Sequence, residues 1–182
     1  MKKVVFLDRD GTLCEDKDYL DDWRRMRIFP FAYDALNILK DKGFIIYVVS
    51  NQSGVARGKF TIEEAERQRD YVLKYFNRER IIIDEYLYCP HHKEGVVEEY
   101  AIECDCRKPA IGLAVRVIDL KSIDKSRSYM VGDKTVDIEF GRNLGIVPVL
   151  VLTGYGLKEQ FKIREKVAVF ENIFEFAKSL EL

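Results

Sequence analysis

Asp8 and Asp10 stand one residue apart, directly after the apolar run Val4-Val5-Phe6-Leu7, and Gly11 and Thr12 follow them. A short run rich in β-branched and aromatic residues, bounded by Asp and Gly, reads as a strand covered on both faces. It would deliver two carboxylates to its own carboxyl end, the edge where open α/β sheets bind ligands. An acidic surface turn uses the same residue types, so the pair gains meaning from what else reaches that edge. Two further strand-like runs also end in polar groups. Phe44–Val49 is followed by Ser50, Asn51, Gln52 and Ser53, and Ser128–Val131 by Gly132, Asp133 and Lys134, with Asp137 close behind. Carboxylates converging from separate strands repel unless a cation lies between them, and such oxygen donors suit Mg²⁺. A hydroxyl and nearby lysines could hold an anion beside that metal, which describes a phosphate site. One carboxylate can attack phosphorus to form an aspartyl-phosphate, while a second protonates the leaving oxygen and then activates water. Lys108, Ser50 and backbone N–H groups would stabilise the equatorial oxygens.

A second set of ligating residues is Cys89-x-His91 followed, after twelve residues, by Cys104-x-Cys106. Three thiolates and one imidazole suit tetrahedral Zn²⁺, and four protein ligands leave no open position, so the expected site is structural. His92 competes for the imidazole position; the one-residue spacing shared with Cys104-x-Cys106 favours His91. Arg107 and Lys108 follow Cys106 directly, so a zinc-bound loop over about 89–108 would fix where two cations meet the substrate. Cys14 is remote in sequence and receives no function.

These groups need a scaffold that brings strand ends together. Strands are predicted at Val4–Leu7, Phe44–Val49, Ile81–Tyr88, Ser128–Val131, Val147–Leu152 and about Val167–Phe170. Helices are predicted from Ala32 to Lys42, from a Thr61/Glu64 capping box to about Asn77, around Leu113, Val117 and Leu120, up to Leu144, and at the end of the chain to Leu182. The alternation implies βαβ units and an α/β fold: a Rossmann-like, mainly parallel sheet with helices on both faces. Residues 14–29 lack periodicity and read as an irregular, partly exposed excursion beside the acids, placed to confer specificity. One domain over 1–182, with no large cap, is expected.

The chain has 182 residues, 47% apolar and 34% charged, a globular composition. Its 30 basic and 31 acidic residues nearly cancel, which argues against nucleic-acid or membrane-surface binding, so local charges must meet any anionic substrate. No signal peptide is read, and no apolar run approaches the roughly 20 residues of a membrane span. A cytoplasmic protein is expected, in a compartment where disulfides are rare; clustering of three of the four cysteines then points to metal.

Asp8-Arg9-Asp10-Gly11-Thr12, the Ser50 strand end, Arg107-Lys108-Pro109, and Gly132-Asp133-Lys134 with Asp137 resemble, in order and spacing, the four motifs of the haloacid-dehalogenase-like (HAD) phosphohydrolase superfamily. The resemblance implies a HAD fold, with Asp8 as nucleophile and Asp10 as general acid/base. It implies Mg²⁺ on Asp8, the Asp10 backbone carbonyl and Asp133, with Ser50 and Lys108 stabilising the transferred phosphoryl group. Within the superfamily, Cys89 to Gly95, Cys104 to Pro109, and Asn51-Gln52-Ser53-Gly54 with Arg57-Gly58 resemble the heptose-bisphosphate 7-phosphatases. Histidinol-phosphate phosphatases share the aspartates and the zinc loop but tend to carry an acidic residue where Ser53 stands. The implied activity is removal of the 7-phosphate of D-glycero-D-manno-heptose 1,7-bisphosphate, in nucleotide-heptose synthesis for bacterial cell-surface lipopolysaccharide. Asp16, Tyr19, Asn51, Gln52, Ser53, Arg107 and Lys134 would contact the substrate. The expected partner is a small phosphorylated sugar, the chain acting as a monomer. A histidinol-phosphate phosphatase is the nearest alternative, and a zinc-stapled anion-binding module without catalysis is the alternative of another class. Cys14 departs from the usual Asn, Phe31-Ala32 from Pro-Gly, and Ala110-Ile111 from a Lys-Pro-like pair; the first bears on substrate contact.

Overall fold

The computed structural model describes residues 1–78 and 80–181. Six parallel strands form a sheet: β1 (Val4–Leu7), β2 (Ile45–Asn51), β3 (Glu85–Cys89), β4 (Tyr129–Gly132), β5 (Val147–Val151) and β6 (Ala168–Phe170). Their order is β3-β2-β1-β4-β5-β6. The chain thus winds outward from β1 in both directions, and the neighbours β1 and β4 mark the switch point where such sheets bind ligands. The helices are α1 (Pro30–Asp41), α2 (Ile62–Arg78), α3 (Gly112–Val115), α4 (Thr135–Leu144), α5 (Gly156–Glu159) and α6 (Ile173–Ser179).

Both faces of the sheet are covered, and the side-chain period of two decides what goes where. Val5, Leu7, Ile46, Val48 and Val131 join the core under α1, α2 and α6. Val4, Phe6, Tyr47, Val49 and Met130 join the other core, with Phe140 and Leu144 of α4. All four β1 side chains are fully buried, each worth roughly 1.5–3 kcal/mol in burial. That packing makes the end of β1 a rigid platform for the residues that follow.

Several boundaries differ from the sequence expectation for physical reasons. The helix expected around Leu113, Val117 and Leu120 is only the single turn α3, followed by 3₁₀ turns at Leu120–Ser122 and Lys125–Arg127. Asp119 accepts from Lys121 N and Asp124 from Arg127 N, so side chains compete for the backbone and start new turns. The third strand begins at Glu85, not Ile81, because the Asp84 carboxylate accepts the Ile46 N–H at 2.8 Å in place of a ladder carbonyl. It runs on to Cys89, opposite Asn51, which brings that cysteine to the functional edge. The Thr61/Glu64 box is half formed: Thr61 Oγ1 accepts from Glu64 N, but the Glu64 carboxylate accepts from Trp23 N instead.

The excursion over 14–29 is more ordered than expected. Cys14 bridges Ile28 in antiparallel fashion, Glu15 N donates to the Arg27 carbonyl, and Leu20 and Met26 are buried. The last helix ends at Ser179; its expected limit, Leu182, lies outside the described residues.

Candidate active site

At the carboxyl edge of the sheet, four neighbouring strands end in chemistry: β1 in Asp8, β2 in Ser50, β3 in Cys89 and β4 in Asp133. A cleft of ≈ 370 Å³ opens there. The expected catalytic residues Asp8, Asp10, Ser50 and Lys108 line it. So do Asp16, Tyr19, Asn51, Gln52, Ser53, Arg107 and Lys134, all expected to meet substrate.

The deepest part is an ionic cluster. Lys108 Nζ lies 2.6 Å from Asp8 Oδ1 and 2.7 Å from Asp137 Oδ1, and also donates to the Val49 carbonyl at 2.8 Å. Oxygens of Asp8, Asp133 and Asp137 lie within 4.8 Å of one another. Burial pushes Asp8 up to about 6 against the pull of Lys108, and pushes Asp133 up to about 8 against the pull of Lys134. Asp133 Oδ2 accepts from Tyr155 N at 2.8 Å, whereas its buried Oδ1 has no hydrogen-bond partner. The fully buried Lys108 ammonium pairs with Asp8 and Asp137 but not with Asp133, whose nearest cation is Lys134 Nζ, 3.9 Å away at the margin. An orphaned carboxylate oxygen within an excess of buried negative charge is a donor set that fits a hard divalent cation.

Glycines create the room around Asp133. A Cβ on Gly11 would sit 2.1 Å from Asp133 Oδ2, and one on Gly154 2.2 Å from the same atom. Both glycines have positive φ, +86° and +56°, which L side chains rarely adopt.

Asp10 sits at the cleft wall. Arg9 donates to both of its oxygens, at 2.9 and 2.7 Å, and Gln52 Nε2 donates to Oδ2 at 2.9 Å. Burial alone would raise Asp10, but the Arg9 guanidinium outweighs it and holds the carboxyl below its usual range. Gln52 Nε2 also donates to Ser50 Oγ at 2.7 Å, so it ties the two chemical strand ends together. Asn51, expected to contact substrate, is engaged elsewhere. Its Nδ2 donates to the Lys108 carbonyl and its Oδ1 accepts from Lys108 N, so its side chain braces the backbone that presents Lys108. Gln52 is 4% exposed, and its amide nitrogen donates to Asp10 and Ser50 inside the protein.

Across the cleft, the excursion is tethered to the sheet. Lys134 Nζ lies 2.7 Å from Asp16 Oδ2, and the Tyr155 hydroxyl donates to Asp18. Asp18 and Tyr19 have φ of +43° and +66°, strained for residues with side chains. Lys134 stands before α4, where its own N–H donates to Asp137 Oδ2 at 3.1 Å. Carboxylates of Asp8, Asp133 and Asp16 keep its ammonium above its usual range although burial opposes them. Arg107 is half-buried and donates to the His91 carbonyl. Ser53 lies at the rim, partly exposed.

The Cys/His cluster closes one side of this edge. Cys106 Sγ is 3.2 Å from Cys89 Sγ and 3.3 Å from Cys104 Sγ, and Cys89 and Cys104 are 3.5 Å apart. His91 Nδ1 lies 3.3 Å from Cys106 Sγ and 3.7 Å from Cys89 Sγ. A tetrahedron with metal–sulfur bonds of about 2.3 Å has edges of about 3.7 Å, so the four atoms fit a Zn²⁺ with slight expansion. His92 is outside the cluster; its ring meets Arg57 and the Glu94 N–H.

The geometry can be set beside known proteins. A family model described as HAD-hydrolase-like matches residues 105–175. D-glycero-beta-D-manno-heptose-1,7-bisphosphate 7-phosphatase of Escherichia coli K12 is 41% identical over 153 residues, 83% of this chain and 80% of the relative. The chain belongs to the HAD-like phosphatase family. The protein of the same name from Pasteurella multocida is 37% identical over 182 residues, covering 100% of this chain and 98% of the relative. Among solved HAD phosphatases, D,D-heptose 1,7-bisphosphate phosphatase from B. bronchiseptica, crystallised with magnesium and phosphate, has a TM-score of 0.84 and 26% identity over 97% of this chain and 96% of that one.

Residues that the motif reading of a HAD phosphatase overlooked are those that hold others in place. Arg9, inside the first motif, is 2% exposed and bonds to Gln68 and Tyr86 as well as to Asp10. Gln68 is a polar residue on the buried stripe of α2 between Ala65 and Val72. A buried polar group at an apolar position was the available signal.

Proposed function

We propose that this chain is a Mg²⁺-dependent HAD phosphatase, one domain with a zinc-bound loop, that removes the 7-phosphate of D-glycero-β-D-manno-heptose 1,7-bisphosphate. The reading rests on one observation above the others: a buried carboxylate, Asp8, faces a cleft together with Lys108, and behind it lies Asp133, with a buried partnerless oxygen, in a carboxylate group whose oxygens are within 4.8 Å of one another. The relatives' names supply the substrate and its anomer.

Asp10, ionised beside Arg9 before substrate binds, takes up a proton carried in by the phosphate monoanion; as Asp8 attacks phosphorus, Asp10 passes that proton to the departing O7, leaving an aspartyl-phosphate and the free sugar hydroxyl. Asp10, now a carboxylate, takes a proton from water as that water attacks phosphorus; inorganic phosphate leaves and Asp8 is restored. Lys108 and the Ser50 hydroxyl hold equatorial oxygens in both steps. Mg²⁺, held by Asp8, Asp133 and the Asp10 carbonyl, would supply the positive charge that lets an anion attack an anion. Lys134 and Arg107 supply charge for the rest of a bisphosphate, and Asp16 and Tyr19 form the wall against the sugar. Cys89, His91, Cys104 and Cys106 would hold Zn²⁺, which would fix the loop that carries Arg107 and Lys108.

A phosphate-release panel tests this. The β-anomer should show the highest kcat/KM, above the α-anomer and histidinol phosphate, and Asp8→Asn should abolish Mg²⁺-dependent release. Preference for histidinol phosphate would overturn the substrate, and full activity of Asp8→Asn would overturn the mechanism.

A further inference from the structure

Asp10 is held by more than the strand end that carries it. Every nitrogen of the Arg9 guanidinium is engaged inside the protein. Nε donates to Asp10 Oδ1 and Nη2 to Asp10 Oδ2, while Nη1 donates to Gln68 Oε1 at 2.8 Å and to the Tyr86 hydroxyl at 3.3 Å. Arg9 therefore has no free fork for a phosphate oxygen, although it borders the cleft. Its planar, bidentate grip fixes both carboxylate oxygens, which a point charge could not do.

The grip has its own anchor. Gln68 is fully buried on α2, and its Nε2 donates to the Leu20 carbonyl at 2.7 Å. A continuous chain of hydrogen bonds thus runs from Leu20, next to Tyr19 in the excursion, through Gln68 and Arg9 to Asp10. Side chains of consecutive strand residues point to opposite faces. Arg9 and Asp10 can pair only because the backbone turns sharply here, with the Arg9 carbonyl accepting from Leu13 N and Cys14 N. The benefit of such a network is geometric, since a buried ion pair roughly balances its own desolvation and adds little stability.

We propose that Arg9 is the positioning residue for Asp10, setting the orientation in which that carboxyl group meets the leaving oxygen, and that Gln68 anchors Arg9 to the substrate-facing excursion. This deepens the phosphatase reading and rests on it.

The test compares two leaving groups in single turnovers with enzyme in excess, following release of the alcohol. Heptose bisphosphate needs a proton on its departing oxygen; 4-nitrophenyl phosphate releases a stable phenolate without one. Arg9→Lys should slow sugar release by about 10- to 100-fold, with the enzyme concentration for half-maximal rate within about threefold of wild type. On 4-nitrophenyl phosphate its rate should stay within about threefold of wild type. Gln68→Met, which leaves the Arg9–Asp10 pair itself intact, should move the same way by a smaller factor, about three- to tenfold. A merely structural role would slow both substrates alike. Equal losses on both substrates, wild-type rates in both variants, or loss of the fold in both by circular dichroism would each overturn the proposal. Failure of the phosphatase reading is visible separately, as a wild-type protein inactive on either substrate.

Discussion

Lys108 reaches Asp8 across 100 residues of sequence and is buried beside it, Nζ 2.6 Å from Oδ1 with 1% of the lysine side chain exposed. The same ammonium touches Asp137, so one cation neutralises the end of β1 and the start of α4 together. The loop carrying Lys108 is fixed in turn by Asn51 on one side of it and by the Cys/His cluster on the other.

Removing that cation should harm activity and stability together. Lys108→Met leaves Asp8 and Asp137 facing each other in a dry site, a loss of about 3–5 kcal/mol in unfolding free energy. The kcat should fall by about 10²- to 10³-fold, as when one preorganised charge donor is lost. Urea midpoints at pH 5 and pH 8 check the cause: protonating a carboxylate relieves the repulsion, so the destabilisation should be smaller at the lower pH. Equal losses at both pH values would point away from charge.

Magnesium should stabilise the protein more as pH rises. Burial lifts Asp8 to about 6 and Asp133 to about 8 in the folded state, against roughly 4 in an unfolded chain. Between those limits the folded protein binds more protons than the unfolded one, so these two groups make stability fall as pH increases through about 4 to 8. Mg²⁺ binds the ionised carboxylates and opposes that loss. The rise in thermal midpoint on adding Mg²⁺ to dialysed protein should therefore grow from pH 5 to pH 8. A constant or shrinking increment would separate these carboxylates from the metal.

The sheet was legible because its strands are short apolar runs that stop at polar residues, and that pattern follows directly from burial on both faces. The same pattern exposed Asp8, Ser50 and Asp133, each the first or second polar residue after such a run. What sequence could not display is which polar atoms satisfy one another. Asn51 and Gln52 carry the residue types of substrate ligands, yet their amides bond to Lys108, Asp10 and Ser50. Arg9 carries no role in the sequence pattern of the two acids that flank it, and its partner Gln68 lies 59 positions away. The brief α3 was overread because Leu113, Val117 and Leu120 keep helical spacing while Asp119 and Asp124 cap new turns between and beyond them. Periodicity reports burial well and reports local competition for backbone hydrogen bonds poorly.

The Cys/His cluster should hold one zinc per chain, and its loss should act through the loop it fixes. Cys106→Ser removes a ligand two residues before Lys108. Metal analysis should show zinc falling below one equivalent, and kcat/KM should drop by about 10- to 100-fold through misplacement of Arg107 and Lys108. Fully folded, fully active protein without zinc would show that the cluster does not organise the site.

Two glycines separate backbone strain from metal-site crowding. Gly154 has φ +56°, and a Cβ there would lie 2.2 Å from Asp133 Oδ2 and 2.5 Å from Gly11 Cα. Gly43, which ends α1, has φ +77° with nothing within 4 Å of its would-be Cβ. Alanine at either position carries the left-handed penalty of about 1–2 kcal/mol. Only at 154 must Asp133 move, and its buried Oδ1 is the oxygen left for the metal. Gly43→Ala should lower the thermal midpoint and leave Mg²⁺ dependence unchanged. Gly154→Ala should lower it too and raise the Mg²⁺ concentration for half-maximal activity by about tenfold, equivalent to roughly 1.4 kcal/mol of lost metal affinity. Matching Mg²⁺ dependence in the two variants would mean that Asp133 is not positioned by the space these glycines leave.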